Sequence, residues 1–366
     1  MRIRQVESGD ERRRYVSFAS EVYRDVPAWV PPDEPHLAAQ LGGQAFGAEH
    51  SRIQPFWAED RDRIVATVTA VVDDLFNTHW RDAVGHVLFF EALPGHEAAS
   101  RALLDAACDW LKRQGCTAAR VGFLYGWQLP LTIDAYDERP TAFHSINPPY
   151  YHRYIKDAGF ATECGVVEYL IDFTPDLAAR YEQMVAGSVS GGVVMRPWRL
   201  SEPKADAALF SRIYNATFGA HWGAPQFTVE DCEDLITELG PVTPADFTAF
   251  ADASGETVGA VLAMPDINQV LHRFKDGAPA GAQAFAAALD TIDHGALISI
   301  SVLEQARGTG LNLAMAARVY LAMMARGYRS ASYTTVLDTN RRSRRTAEKL
   351  GGRIRRNFVV YRRELA

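Results

Sequence analysis

The order of secondary-structure signals repeats, and that repetition constrains the fold more than any single motif. In the first half, "RIVATVTAVVDD" (63–74) and "HVLFFEAL" (86–93) carry the β-branched and apolar runs of strands. "HEAASRALLDAACDWLKRQGC" (96–116) places Leu103, Leu104, Ala107, Trp110 and Leu111 at helical spacing, with Gly115 as a stop. "ARVGFL" (119–124) resumes a strand, and "NPPYYHRYIKDAGF" (147–160) reads as turn, short helix and glycine stop. The second half has the same succession. Strands are expected at "ETVGAVLAMP" (256–265) and "ALISISVLE" (296–304), where Ile298, Ile300 and Val302 share one face. Next come a helix over 311–328 ending at Gly327, the strand "RSASYTTVL" (329–337), the helix "RRSRRTAEKLGG" (341–352) and a last strand, "RNFVVYRRE" (356–364). Such a doubled order implies a duplicated α/β unit. Two domains are expected, 1–188 and 189–366, divided in the small-residue stretch "AGSVSGGVV" (186–194). A length of 366 residues suits two domains of ordinary size.

Charge and cysteine usage exclude some functions. A formal net charge of -7 gives no overall electrostatic basis for nucleic-acid binding. Acidic residues prevail in the first half, whereas the second is nearly balanced and crowds Arg341, Arg342, Arg344, Arg345 and further cations into its last stretch. That stretch is either a solvated face or a local anion site. Cys108, Cys116, Cys164 and Cys232 lack CxxC spacing, so no metal site is expected and a reduced, cytoplasmic setting is. The N-terminal "MRIRQVESGDERRRY" has no apolar signal core, and no apolar run reaches membrane-spanning length.

The joint "EQARGTGLNLAM" (304–315) lies between an apolar strand and a helix. A helix starting near Leu311 presents unpaired backbone N–H groups and a partial positive charge. Gly308 and Gly310 have no Cβ, so the turn can adopt positive φ and let an anion approach the main chain. Strand, glycine turn and helix together are suited to a diphosphate. Read alone, the Arg-Gly-x-Gly stretch at 307–310 could be a plain turn.

With its surroundings, this joint resembles the acetyl-CoA loop of the GNAT superfamily, the Gcn5-related N-acetyltransferases. The loop pattern Arg/Gln-x-x-Gly-x-Gly/Ala can be laid on Gln305-x-x-Gly308-x-Gly310 or on Arg307-Gly308-Thr309-Gly310-Leu311-Asn312. The second register is preferred, because Arg307 then stands five residues beyond Val302, just ahead of the helix. Asn340, Ser343 and "AEKLGG" resemble the family's downstream Asn-x-x-Ala-x-x-x-Tyr-Glu-Lys-x-Gly-Phe, with Ala347 at the tyrosine position and Gly352 at the phenylalanine position. The resemblance implies two GNAT-like α/β (α+β) domains, each a mixed, largely antiparallel twisted sheet flanked by helices. It implies acetyl-CoA or another acyl-CoA at Val302, Leu303, Arg307, Gly308, Thr309, Gly310, Leu311, Asn312, Asn340, Ser343 and Arg345. The first half resembles the same fold with its loop degraded to Pro94-Gly95-His96-Glu97, where Glu91 and Glu97 would repel phosphates.

The implied activity is direct acyl transfer, most simply acetyl, to an amine of a small molecule or peptide. An amine arrives protonated and needs a base, and a departing thiolate needs an acid. Candidates are Glu304 at the strand end, Asp266 in "MPDINQ" and Tyr333 in the strand after the loop helix; His294 titrates in a suitable range. Each also has an ordinary structural reading: solvated surface, turn, core packing and core hydrogen bonding. Two rival functions stand beside this one. The basic run 341–363 would suit aminoacyl transfer from aminoacyl-tRNA, against an acidic first half. Ala347 at the tyrosine position would suit a non-catalytic acyl-CoA-binding or structural protein.

Overall fold

The computed structural model describes residues 1–44, 48, 50–273, 275 and 282–365. The chain divides into two compact units, Met1–Val166 with Asn357–Ala366, and Val167–Arg356. The first unit is built on β1 (Arg2–Gln5), β2 (Ser51–Asp60), β3 (Arg63–Asp73), β4 (Val84–Ala92), β5 (Ala118–Val121) and the short β6 (Leu131–Thr132). Next in the chain, β7 (Ala161–Asp172) runs across the division. The second unit is built on β8 (Val193–Arg196), β9 (Thr248–Ala253), β10 (Glu256–Pro265), β11 (His294–Val302) and β12 (Ser330–Leu337), and β13 (Arg353–Glu364) crosses the division again.

Each unit has the same strand order. In the first it is β1-β2-β3-β4-β5-β13, with β6 on β13; in the second it is β8-β9-β10-β11-β12-β7. The first four strands of each run antiparallel, and the fourth and fifth are parallel. A parallel neighbour requires a crossover, supplied by helix Glu97–Arg113 in the first unit and helix Leu311–Ala325 in the second.

Core packing repeats as well. Gly85 is the second residue of β4, pairs with Ala119, and leaves room for Leu111 at the end of its helix; an added Cβ would meet Leu111 at 2.3 Å. Gly295 is the second residue of β11, pairs with Ala331, and would meet Met323 at 2.5 Å. In both units the parallel strand is pressed against its crossover helix where only hydrogen fits. Leu103, Leu104, Ala107 and Leu111 are fully buried in the first unit, and Met315, Val319, Tyr320 and Met323 in the second.

The units do not divide at residue 188. That position lies inside helix Pro175–Ser190, which starts at a Thr174 cap and ends at the Gly191–Gly192 turn. Its Tyr181 is fully buried and donates to the Leu350 carbonyl at 2.5 Å, so the helix belongs to the second unit's core. Small residues that read as a linker are here the last turns of a helix. The sixth strands are also exchanged along the chain: the first unit takes 357–364 and the second takes 167–172.

That exchange makes a prediction. Fragments 1–188 and 189–366, produced separately, each lack a strand of the unit they carry. Neither should show a cooperative thermal transition, whereas the two co-expressed should regain it; a cooperative transition from either alone contradicts the assignment.

Candidate functional site

In the second unit, β11 and β12 are paired only from His294–Ser330 to Leu297–Tyr333. The closed end is held by His294, whose Nδ1 lies 2.8 Å from the Ser330 hydroxyl and whose Nε2 lies 3.0 Å from that of Ser332. Ser332 in turn donates to the buried Glu168 carboxylate. Beyond Leu297 the strands separate. The Leu297 carbonyl accepts from the Thr334 hydroxyl at 3.1 Å, and Thr335, a β-branched residue, sits at φ 55°. Opposite, β11 takes a bulge at Ile298, since Leu262 pairs with Ser299 and Ala263 with Leu297. A hydroxyl bond, a strained residue and a bulge thus open a fork between parallel strands.

The glycine turn stands at the open end of β11. After Val302 the chain makes a short turn over Glu304–Ala306, Arg307 is extended, and Gly308 and Gly310 lie at φ 83° and 84°. Helix Leu311–Ala325 begins at Gly310 without a side-chain cap. Its first internal bond is Ala314 N–H to the Gly310 carbonyl, so the N–H groups of residues 311–313 have no main-chain partner among the described residues. A Cβ placed on Gly308 or Gly310 would meet nothing within 4 Å, so the turn is open. The Arg307 side chain folds back, its Nε donating to the Val302 carbonyl at 3.3 Å, and the Thr309 hydroxyl donates to the Ala306 carbonyl at 2.8 Å. Bare donors, a helix dipole and free space form a main-chain anion cradle that fits a diphosphate.

Helix Arg341–Lys349 links to the fork. Tyr333, the last paired residue of β12, is buried, and its hydroxyl lies 3.1 Å from that of Ser343. The Ser343 N–H donates to the Asn340 side-chain oxygen at 3.0 Å, and the Asn340 amide donates to His221 Nε2 at 2.9 Å. A continuous chain, Tyr333–Ser343–Asn340–His221, therefore runs from the fork to the loop after helix Pro203–Phe218. Burial raises the Tyr333 phenol above its ordinary pKa, and burial lowers that of His221, so both are neutral near pH 7. The Asn312 amide donates to the Thr346 hydroxyl at 2.9 Å and ties the cradle helix to helix 341–349.

Among the residues expected from sequence, the structure gathers Val302, Leu303, Arg307–Asn312, Tyr333, Asn340 and Ser343 around fork and turn. Glu304 is exposed in the turn beside the cradle. Asp266 is separated from them: it is buried next to the closed end, where its N–H donates to the His294 carbonyl and Pro265 pairs with Gly295. Arg345 is exposed and lines a cavity with Arg341 and Arg344. His294 is a strand tie. Ala347, at the tyrosine position of the resemblance, is fully buried. Sequence reading missed His221, whose only local signal is an aromatic pair in the small-residue stretch "GAHWGAPQ" (219–226). It also missed the hydroxyls of Ser299 and Ser301, which have no hydrogen-bond partner among the described residues. They alternate with Ile300 and Val302, which pack toward helix Leu311–Ala325, and so face the opposite side of the sheet.

The equivalent place in the first unit is filled. Beyond Val87 the ladder of β4 with β5 also ends, but helix Tyr151–Asp157 brings tyrosines into the gap. The Ala92 N–H donates to the Tyr151 hydroxyl at 2.7 Å, the Tyr150 hydroxyl donates to the Ala92 carbonyl at 2.7 Å, and the Gly95 N–H donates to the Tyr154 hydroxyl at 3.0 Å. Glu91 accepts from Tyr151 at 2.7 Å and from Tyr23 at 3.3 Å, and Tyr23 stacks on Trp29. Glu97 occupies the first turn of the crossover helix. Main-chain groups of Ala92 and Gly95 are satisfied here by phenols, while the N–H groups of residues 97–99 at the helix start have no main-chain partner among the described residues.

Two units of the same strand order, each with a parallel fourth and fifth strand parting beside a crossover helix, define a tandem Gcn5-related N-acetyltransferase (GNAT) fold. A tandem GNAT protein from the clavulanic acid biosynthesis pathway, solved without AcCoA, matches with a TM-score of 0.61 and 12% identity over 100% of this chain and 99% of that one. Among curated proteins, a bacterial ceramide synthase of Caulobacter vibrioides is 22% identical over 98% of this chain and 96% of its own length. Protein YghO of Escherichia coli is 22% identical over 72% of this chain and 67% of its own. No family model matches. Among the described residues no helix is long and apolar enough to cross a membrane, and no cluster of metal-ligating side chains occurs. Burial pushes the Cys108, Cys116 and Cys232 thiols up to about 12, 11 and 12, so none supplies a thiolate at neutral pH.

Glu91 gives a pH-dependent prediction. Burial lifts its carboxyl from 4.5 to about 7, against the lowering effect of the Tyr151 and Tyr23 hydroxyls. A raised folded-state pKa stabilises the protein fully below the unfolded value and loses that contribution as pH rises through the folded value, at most about 3 kcal/mol here. Thermal midpoints measured near pH 5 and pH 8 should therefore fall more steeply with pH in wild type than in Glu91→Gln. Parallel pH profiles contradict the assignment.

Proposed function

We propose that this protein is an acyl-CoA-dependent N-acyltransferase whose second unit holds the nucleotide thioester and whose first unit does not. The single observation that supports this reading is the open turn at Gly308–Gly310, with uncapped main-chain donors at the mouth of a strand fork. Residues 308–313 would hold the diphosphate of acyl-CoA through backbone N–H groups, and Val302 and Leu303 would flank the pantetheine arm. When bound there, acyl-CoA supplies an activated acyl thioester.

The chain's own groups then have definite tasks. Tyr333 keeps its phenolic proton at neutral pH and sits where the strands part, so it is the group suited to protonate a departing thiolate, with Ser343 fixing its hydroxyl. Asn340 holds His221, and with it the loop 219–228, beside the same point. Ser299 and Ser301 place buried hydroxyls, without a partner among the described residues, on the other face of β11. Glu304, exposed beside the turn, can accept the amine's proton through solvent, whereas Asp266 lies beside His294 at the closed end of the ladder.

The acyl group is taken as acetyl on the strength of the fold. A longer chain has one observation in its favour: the likeness to a bacterial ceramide synthase extends over nearly the whole chain, and a ceramide is an amide of a long-chain acid. The acceptor is accordingly an amine of a small molecule or peptide, or an amino alcohol of lipid type.

Calorimetric titration tests the site. Acetyl-CoA and palmitoyl-CoA should each be offered to wild type and to Gly308→Glu, which adds a carboxylate to open space at the cradle. The variant should lose about 100-fold or more in affinity for whichever thioester binds wild type, the scale of replacing charge-assisted contacts by repulsion. Equal binding by both proteins contradicts the assignment. Tyr333→Phe should lower kcat by about 10–100-fold with thioester affinity unchanged.

A further inference from the structure

Helix Arg341–Lys349 has three faces with separate surroundings. Residues advance about 100° along a helix, so Ser343, Ala347 and Leu350 share the core side, where Ala347 and Leu350 are fully buried. Thr346 turns toward the cradle helix, as its bond to Asn312 shows. Arg341, Arg344, Arg345 and Glu348 occupy the remaining side. With Asp338 and Thr339 they line a cavity of about 600 Å³. This cavity lies on the flank away from the cradle, so its arginines do not share a face with the residue that touches the turn.

The cavity is built to receive an oxyanion. Arg344 is fixed within it, its Nε donating to the Tyr169 hydroxyl and its Nη1 to the Asp338 carbonyl, both at 3.1 Å. Arg341 and Arg345 are exposed and form no ion pair among the described residues. Guanidinium groups match phosphate and carboxylate oxygens with two parallel donors. Three of them face two carboxylates, Asp338 and Glu348, which disfavours a polyanion and favours a ligand carrying one anionic group and one ammonium. The loop 338–340 that forms one wall continues into Asn340, the residue that joins Ser343 and Tyr333 to His221.

We propose that this cavity is a binding site for a small amine bearing an oxyanion, a phosphate or a carboxylate. The arginines hold the oxyanion and the carboxylates attract the ammonium. The proposal gives Arg345 to this ligand instead of the cofactor.

The test reads binding without turnover. O-phosphoethanolamine, β-alanine and ethanolamine are each titrated calorimetrically into full-length wild type and Arg341→Ala/Arg345→Ala. Wild type should bind O-phosphoethanolamine or β-alanine about tenfold or more tightly than ethanolamine, and the double substitution should erase that difference. Which of the two binds better tells phosphate from carboxylate. Equal or undetectable binding of all three amines by wild type, or a preference that survives in the variant, overturns the proposal. CoA titrated into the same proteins should bind them alike; weaker binding by the variant assigns the arginines to the nucleotide and also overturns it. A wild type that binds no CoA counts against the N-acyltransferase reading alone, because the contrast among the amines still decides what the cavity takes.

Discussion

The second unit depends on a parallel ladder that stops after four pairs. Two parallel strands would ordinarily continue side by side, as evenly spaced hydrogen bonds favour. Here they are tied at one end by His294, Ser330, Ser332 and Glu168, and parted at the other by the Ile298 bulge and the strained Thr335. A backbone outlier of that kind costs about 1–3 kcal/mol and persists only where the surroundings enforce it. The enforcing contact is the Thr334 hydroxyl on the Leu297 carbonyl, which replaces a ladder bond and lets β12 turn away. The end of β11 left unpaired with β12, the bare turn and the approach of helix 341–349 all depend on that parting.

Duplication supplies a comparison within one chain. Both units press a glycine of the fourth strand against the crossover helix, and both end the parallel ladder early. They differ in what meets the freed backbone. Three tyrosine hydroxyls complete the hydrogen bonds around Ala92 and Gly95 in the first unit, and Glu97 sits at the helix start. At Gly308 and Gly310 no side-chain hydroxyl does so among the described residues. Main-chain donors left bare in so regular a structure are costly unless water or a ligand meets them, which makes the contrast informative about where an anion goes.

Much of this was legible in the sequence, and the omissions have physical causes. The strand 256–265 and the start of helix 311–325 fell where β-branched runs and the glycine pair put them, because those signals are local. The boundary at 188 failed because small residues suit a helix end as well as a linker, and because strand exchange is decided by non-local pairing. Asp266 looked like a base from its place after a strand, but the antiparallel register puts that strand's end at the closed side of the fork. His221 lies 119 residues from Asn340, and no spacing rule could have joined them. The tyrosine plug was likewise invisible, since Tyr150 and Tyr151 beside a proline turn read equally well as a core edge.

The central claim is that main-chain donors at the start of helix 311–325 grip an anion and that their counterparts in the first unit do not. Amide hydrogen exchange of the full-length protein, with and without CoA, reads those donors directly. The account predicts slowed exchange on CoA addition at residues 308–313, with residues 92–99 unchanged. Protection appearing at 92–99, or absent from 308–313 under saturating CoA, would contradict it.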